Sequence, residues 1–149
     1  MDASIEGVRV AGTTEGPVPV VLLGVANGDT RQLPIFIGFD EAVSIARGMD
    51  ARGIGRPLTH DLMLDVIEEL GGRVNQVVVS GLTEGTFTAD LYVETPRDEA
   101  VIDARPSDSL ALAARTDAPI AIEESVFEEG GRPREEFEDL EDIREVTEI

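Results

Sequence analysis

The 149-residue chain has no cysteine, no tryptophan and no lysine. Without cysteine there is no disulfide framework, no thiolate nucleophile and no cysteine metal site. Aromatic residues are scarce, one tyrosine and five phenylalanines, and no basic stripe with interleaved aromatics suggests an RNA platform. No apolar run reaches the roughly 18–20 residues that span a bilayer. The opening MDASIEGVRV has neither a basic patch nor an apolar signal core. The expectation is a cytoplasmic protein with no membrane contact.

The missing lysines give the charge its character. All 12 basic residues are arginine, against 31 acidic ones, for a net charge of −19. Such a surface repels itself at low salt and favours the expanded chain. At about 1 M salt the Debye length is only about 3 Å and that penalty largely disappears. An ordinary acidic protein explains the charge but not the absence of lysine. A halophilic protein from a salt-accumulating microbe explains both.

Periodicity places the elements. Residues 4–11 alternate as a half-buried strand, and 19–26 and 31–38 are apolar β-branched runs joined across Asn27-Gly28, a hairpin signal. Pro34 lacks a donor and belongs on an edge or at a bulge. Asp40 can cap a helix over 41–49, and 51–57 reads as a loop. Thr59 can cap a second helix over 60–70, with Leu62, Met63, Val66, Ile67 and Leu70 toward the core. A second hairpin, 73–82 with 86–94, alternates cleanly, which implies a sheet covered on one side there. A strand over 100–104, a helix opened by Pro106 and a strand over 120–123 follow.

The sum is a single α+β domain, a mixed, mainly antiparallel sheet with helices packed on one side. It spans residues 1–126, with an acidic C-terminal tail over 127–149. Phe137, Leu140, Ile143, Val146 and Ile149 recur every third residue. They predict a helix face, an oligomer contact or a weakly docked segment with a solvated acidic side.

Candidate chemistry gathers at three junctions where acidic groups follow a strand or loop and open a helix. These hold Asp40 and Glu41, then His60 and Asp61, then Asp103, Arg105, Ser107 and Asp108. Converged carboxylates (Glu41, Asp103, Asp108) could hold Mg²⁺ or Mn²⁺ on oxygen ligands. His60, the sole histidine, beside a carboxylate could act as general acid or base. Arg105 could grip phosphate oxygens bidentately. Each residue also has a plain structural role, as a helix-start anion or one half of an ion pair.

The segments LPIFIGFDEA (33–42), RPLTHDL (56–62), GTFTADL (85–91) and DARPSDSLALAAR (103–115), in that order, resemble the bifunctional nuclease (BFN) domain family. The resemblance covers roughly residues 5–126. It implies hydrolysis of RNA and DNA with little base preference. It carries Glu41, His60, Asp61, Asp103, Arg105, Ser107 and Asp108 as the motif residues. The first reading is therefore a metal-assisted phosphodiesterase with nucleic acid as its partner. The second is a non-catalytic regulatory or ligand-binding module, and the third an ion-pair network fixing the sheet–helix junction. A homo-oligomer, a dimer by default, is expected to cover the exposed sheet edges.

Overall fold

A computed structural model describes residues 1–50 and 56–147. Most of the loop expected over 51–57, and Ile149 of the tail pattern, lie outside the described residues.

Hairpins build the two halves of the sheet. β1 (Asp2–Thr13) turns at Thr14-Glu15 into β2 (Gly16–Val25), which pairs in turn with β3 (Arg31–Phe36). Gly16, Pro17 and Pro19, which as residue types favour a loop, thus lie in strand. Pro17 and Pro19 lie outside the 20–23 ladder with β3, and Pro34 lies past the two residues that pair with the outermost strand. β4 (Arg73–Thr83), β5 (Thr86–Glu94) and β6 (Glu99–Ala104) form the other half.

The hairpin chemistry differs from the sequence expectation in one respect. Glu84 and Gly85 both take positive φ (52° and 79°), so the tight two-residue turn is theirs. At the Asn27-Gly28 signal only Gly28 does (88°). Asn27 instead accepts the Asp29 N–H through its side chain, which makes a longer loop.

The halves are joined by β7 (Ile120–Ile122), parallel to β4 and antiparallel to β1. The chain reaches β7 from β6 through α3 (Pro106–Thr116), which crosses back over β5 and β4. Among the described residues the resulting nine-stranded order is β6-β5-β4-β7-β1-β2-β3-β8, with β9 on β1. β8 (Arg132–Pro133) and β9 (Glu141–Asp142) are two residues each. The fold is α+β, with a mixed and mainly antiparallel sheet.

α1 (Phe39–Met49) and α3 pack together over the sheet. Ile45, Leu110 and Leu112 join Val21, Leu23, Val77, Val79 and Leu91 in the main core. Gly48 permits the close approach, since a Cβ there would sit 3.0 Å from the Ala114 Cβ and from Arg115 Nη1. α2 (Thr59–Glu69) contacts α3 and β4, but only partly as expected. Ile67 packs on the core as expected and Leu64 joins it, whereas Leu62, Met63, Val66 and Leu70 are exposed. The helix carries apolar residues on two faces, and periodicity alone did not separate them.

β2 reads as a continuous apolar run because both its faces are covered. Val21 and Leu23 face the helices, while Val20 and Leu22 meet Phe137 and Leu140 on the opposite side. The chain supplies that cover just past a 3₁₀ turn at 134–136, while α4 (Glu124–Gly130) before it and α5 (Ile143–Val146) after it pack on the main core. Phe127 and Ile143 are fully buried in the main core. Phe137, Leu140 and Ile143 are successive inward side chains of an irregular segment rather than one helix face, whereas Val146 is exposed, as are Glu135, Glu136, Glu138 and Asp139.

Candidate functional site

Three helix starts meet at one corner of the molecule. α1 begins after Gly38, α2 after Leu58 and α3 after Arg105, with Pro106 at its first position. The cap residues are therefore Gly38 and Leu58, not Asp40 and Thr59. A Cβ at Gly38 would collide with the Glu41 carboxylate, so glycine there lets Glu41 fold back over the helix start. Asp61 reaches back to the Leu58 N–H at 2.8 Å, using an amide that the first turn of α2 leaves unpaired.

A continuous chain of hydrogen bonds links the three starts. Arg105 holds Asp108 with both prongs, Nε to Oδ2 at 2.9 Å and Nη2 to Oδ1 at 3.1 Å, and reaches Glu41 Oε1 through Nη1 at 3.3 Å. Asp108 Oδ1 lies 3.0 Å from His60 Nε2. His60 Nδ1 lies 2.6 Å from Ser44 Oγ. Arg115 closes the chain, donating to Ser44 Oγ (3.1 Å), to the Ser44 carbonyl (2.9 Å) and to Asp61 Oδ1 (2.7 Å).

Donor and acceptor roles follow from chemistry. An ionised Asp108 only accepts, so His60 Nε2 carries a proton toward it. In the neutral imidazole Nδ1 is then the lone pair, and the Ser44 hydroxyl donates to it. Both ring nitrogens of His60, which is 8% exposed, are committed within the protein. The groups turned to solvent are Arg105, Asp108 and Glu41, whose side chains are 64%, 33% and 24% exposed. They border a cavity of about 440 Å³ lined also by Asp40, Ser44 and His60.

Of the sequence-derived candidates, Glu41, His60, Asp61, Arg105 and Asp108 are brought together. Asp103 is not. It pairs across the ladder with Asp90 of β5, on the face opposite the buried Ala89 and Leu91. Strand alternation thus points it away from the helices, and Arg105 pairs with Asp108. Ser107 is buried (6%) and lines a neighbouring cavity. Ser44 and Arg115 were missed. Their signal was helical spacing: Ser44 is three residues from Glu41 and Arg115 seven from Asp108, each pair on one helix face.

Comparison with known proteins decides the family. A model of the bifunctional nuclease domain matches residues 21–135. The chain belongs to the bifunctional nuclease domain family. It is 44% identical over 132 residues to an uncharacterized protein of Mycobacterium tuberculosis, covering 87% of this chain and 76% of that one. It is 25% identical over 113 residues to Bifunctional nuclease 2 of Oryza sativa subsp. japonica, and 27% over 109 to Bifunctional nuclease 2 of Arabidopsis thaliana. Those alignments cover 74% and 71% of this chain and about a third of each plant protein (35% and 33%). No helix among the described residues is long and apolar enough to cross a membrane.

Within this bifunctional nuclease domain, the expected set of three metal-binding carboxylates is not assembled. Asp103 faces away, and the Arg105 guanidinium fills the position between Glu41 and Asp108 that a cation would take. No group of three or more acidic, histidine or cysteine side chains among the described residues is placed to hold an ion. The residues as arranged do not fit a resident Mg²⁺ or Mn²⁺.

The arginines also set the carboxylate chemistry. Burial raises the Asp108 carboxyl, but hydrogen bonds from Arg105 and His60 outweigh it and hold the pKa below the ordinary 3.8. Asp61 behaves alike, with burial opposed by Arg115 and the Leu58 N–H. Both groups therefore favour the folded state above about pH 4, and that contribution is lost as pH falls through their lowered values. Thermal melts between pH 7 and pH 2 are expected to fall below pH 4. Asp61→Asn, with no charge to lose, should show a shallower fall; an equal fall would contradict this assignment.

Proposed function

We propose that this domain hydrolyses phosphodiester bonds of RNA and DNA, with little base specificity, at the corner where α1, α2 and α3 begin, and that it does so in the cytoplasm of a salt-accumulating cell. The observation that carries the reading is the Glu41–Arg105–Asp108–His60 chain bordering an open cavity, in a chain of a nuclease family.

Arg105 makes three of its five possible N–H bonds to carboxylates among the described residues, so two donors remain for non-bridging phosphate oxygens. There they offset charge that grows as water adds to phosphorus and the P–O bond to the leaving sugar oxygen breaks, that oxygen taking a proton from solvent. Asp108 accepts the proton of the attacking water through Oδ2, which takes one bond from the protein and keeps a lone pair, whereas Oδ1 takes two. His60, through Nε2–H, fixes the carboxylate and is a positioning residue. No step passes through a metal ion.

The charge of −19 opposes a polyanion at long range, and molar salt removes that opposition. A single arginine contact releases few counterions, so salt costs the attraction little, about 0.7 log units of affinity per tenfold salt for each phosphate contact on a single strand. Cleavage of single-stranded RNA and DNA is therefore expected in 1 M KCl and is expected to survive EDTA. A strict requirement for Mg²⁺ or Mn²⁺ would overturn the metal-free mechanism. Absence of cleavage by folded protein under every condition would favour a non-catalytic ligand-binding module built on the same cluster.

A further inference from the structure

A second cavity, of about 470 Å³, adjoins the first and shares Glu41 and Arg105 with it. Its volume lies within the roughly 300–1,000 Å³ of small-molecule sites. Its walls are of a different kind. Phe36 at the end of β3 and Phe87 at the start of β5 line it with Ile35 and Val18. Phe36 is 56% exposed, an unusual investment in a chain with five phenylalanines. A lone exposed ring is ordinary. A ring that lines an apolar cleft beside the cation that grips phosphate has the chemistry of a nucleotide, flat and apolar at one end and anionic at the other.

We infer that the Phe36 cleft is a nucleobase subsite, in which the base next to the phosphate held by Arg105 stacks on the Phe36 ring. The inference rests on the phosphodiester reading of Arg105 and adds a substrate class to it. Stacking is sequence-tolerant, because every base has a π-face, which agrees with low base specificity. A base in a duplex is already stacked and paired and must be extruded at a cost of a few kcal/mol. Single strands, whose bases turn out freely, are therefore the preferred substrates. Removal of one stacked aromatic costs binding about 5- to 150-fold, the range that corresponds to base–aromatic stacking.

The absence of tryptophan makes the test direct, since Phe36→Trp installs the single indole of the chain in the cleft. With folding confirmed by a melt matching wild type, adenosine 5′-monophosphate in 1 M KCl should change the indole emission saturably. Ribose 5-phosphate, which has the phosphate without the base, should act at least tenfold more weakly. Adding Arg105→Ala should weaken the adenosine 5′-monophosphate response. In cleavage assays Phe36→Ala should raise KM for a single-stranded oligonucleotide 5-fold or more with kcat largely kept, and Phe36→Tyr should restore it. No saturable response, or equal responses to the two phosphates, would overturn the subsite. A saturable, base-dependent response from a protein that cleaves nothing would uphold the subsite and sink the catalytic reading instead.

Discussion

Replacing Arg105 by alanine is expected to lower kcat/KM for a single-stranded oligonucleotide about 100- to 1,000-fold, the usual loss when one preorganised donor to a developing anion is removed. The fold should survive, because the Arg105 side chain is 64% exposed and its bonds are to partly exposed carboxylates. A melting temperature near that of wild type should accompany the loss. Arg105→Lys should recover little. An ammonium cannot hold both oxygens of Asp108 in a fork and still present donors to a phosphate. Steady-state kinetics of the three proteins in 1 M KCl reads the effect, and a change under threefold in the alanine variant would remove Arg105 from the site.

Deleting residues 132–149 is expected to unfold the domain, although the deleted segment is polar and acidic. It contributes Phe137 and Leu140, which cover Val20 and Leu22, and Ile143, which is wholly buried in the main core. Full burial of each such side chain stabilises by roughly 1.5–3 kcal/mol. Two more ties vanish with it, Arg134 to Glu6 at 2.9 Å and Arg144 to Asp50 at 2.7 Å. The sum approaches the 5–15 kcal/mol that holds an ordinary domain together. Loss of acidic charge acts in the opposite direction, by easing self-repulsion. A proton–nitrogen correlation spectrum of the truncated chain should lack the dispersion of the intact one. Ile143→Ala alone should cost about 2–5 kcal/mol in denaturant unfolding. A truncated chain melting at or above the intact one would mean that charge outweighs packing.

The strands of the two large hairpins were legible in the sequence because alternation over 73–94 and apolar runs over 19–38 leave few other structures open. The corner was legible too, since Pro106 and the acidic helix starts mark where α1, α2 and α3 begin. What stayed hidden depended on which way an element faces. Asp103 sits in the right segment, but its strand pairs Ile102 with Leu91 and so turns Asp103 outward beside Asp90. α2 has two apolar stripes, and only its contacts with α3 and β4 select the inner one. Ser44 interrupts an apolar helix face, and Arg115 closes another helix. Their meeting needs the close α1–α3 approach that Gly48 permits. The tail's three-residue spacing does not mark one helix face, because its inward residues Phe137, Leu140 and Ile143 come from a turn and from one helical turn.

The account stands on Asp108 acting as the base held by His60 and Arg105, and single-turnover cleavage tests this most directly. A labelled single-stranded oligonucleotide would be mixed with excess wild-type protein, Asp108→Asn or His60→Ala, in 1 M KCl with EDTA. The amide of Asp108→Asn is close in shape to the carboxylate but cannot take a proton from water, so its cleavage rate should fall by 100-fold or more. His60→Ala should fall less, because the base remains and only its support is lost. Equal rates for wild type and Asp108→Asn would place the chemistry elsewhere and contradict the account.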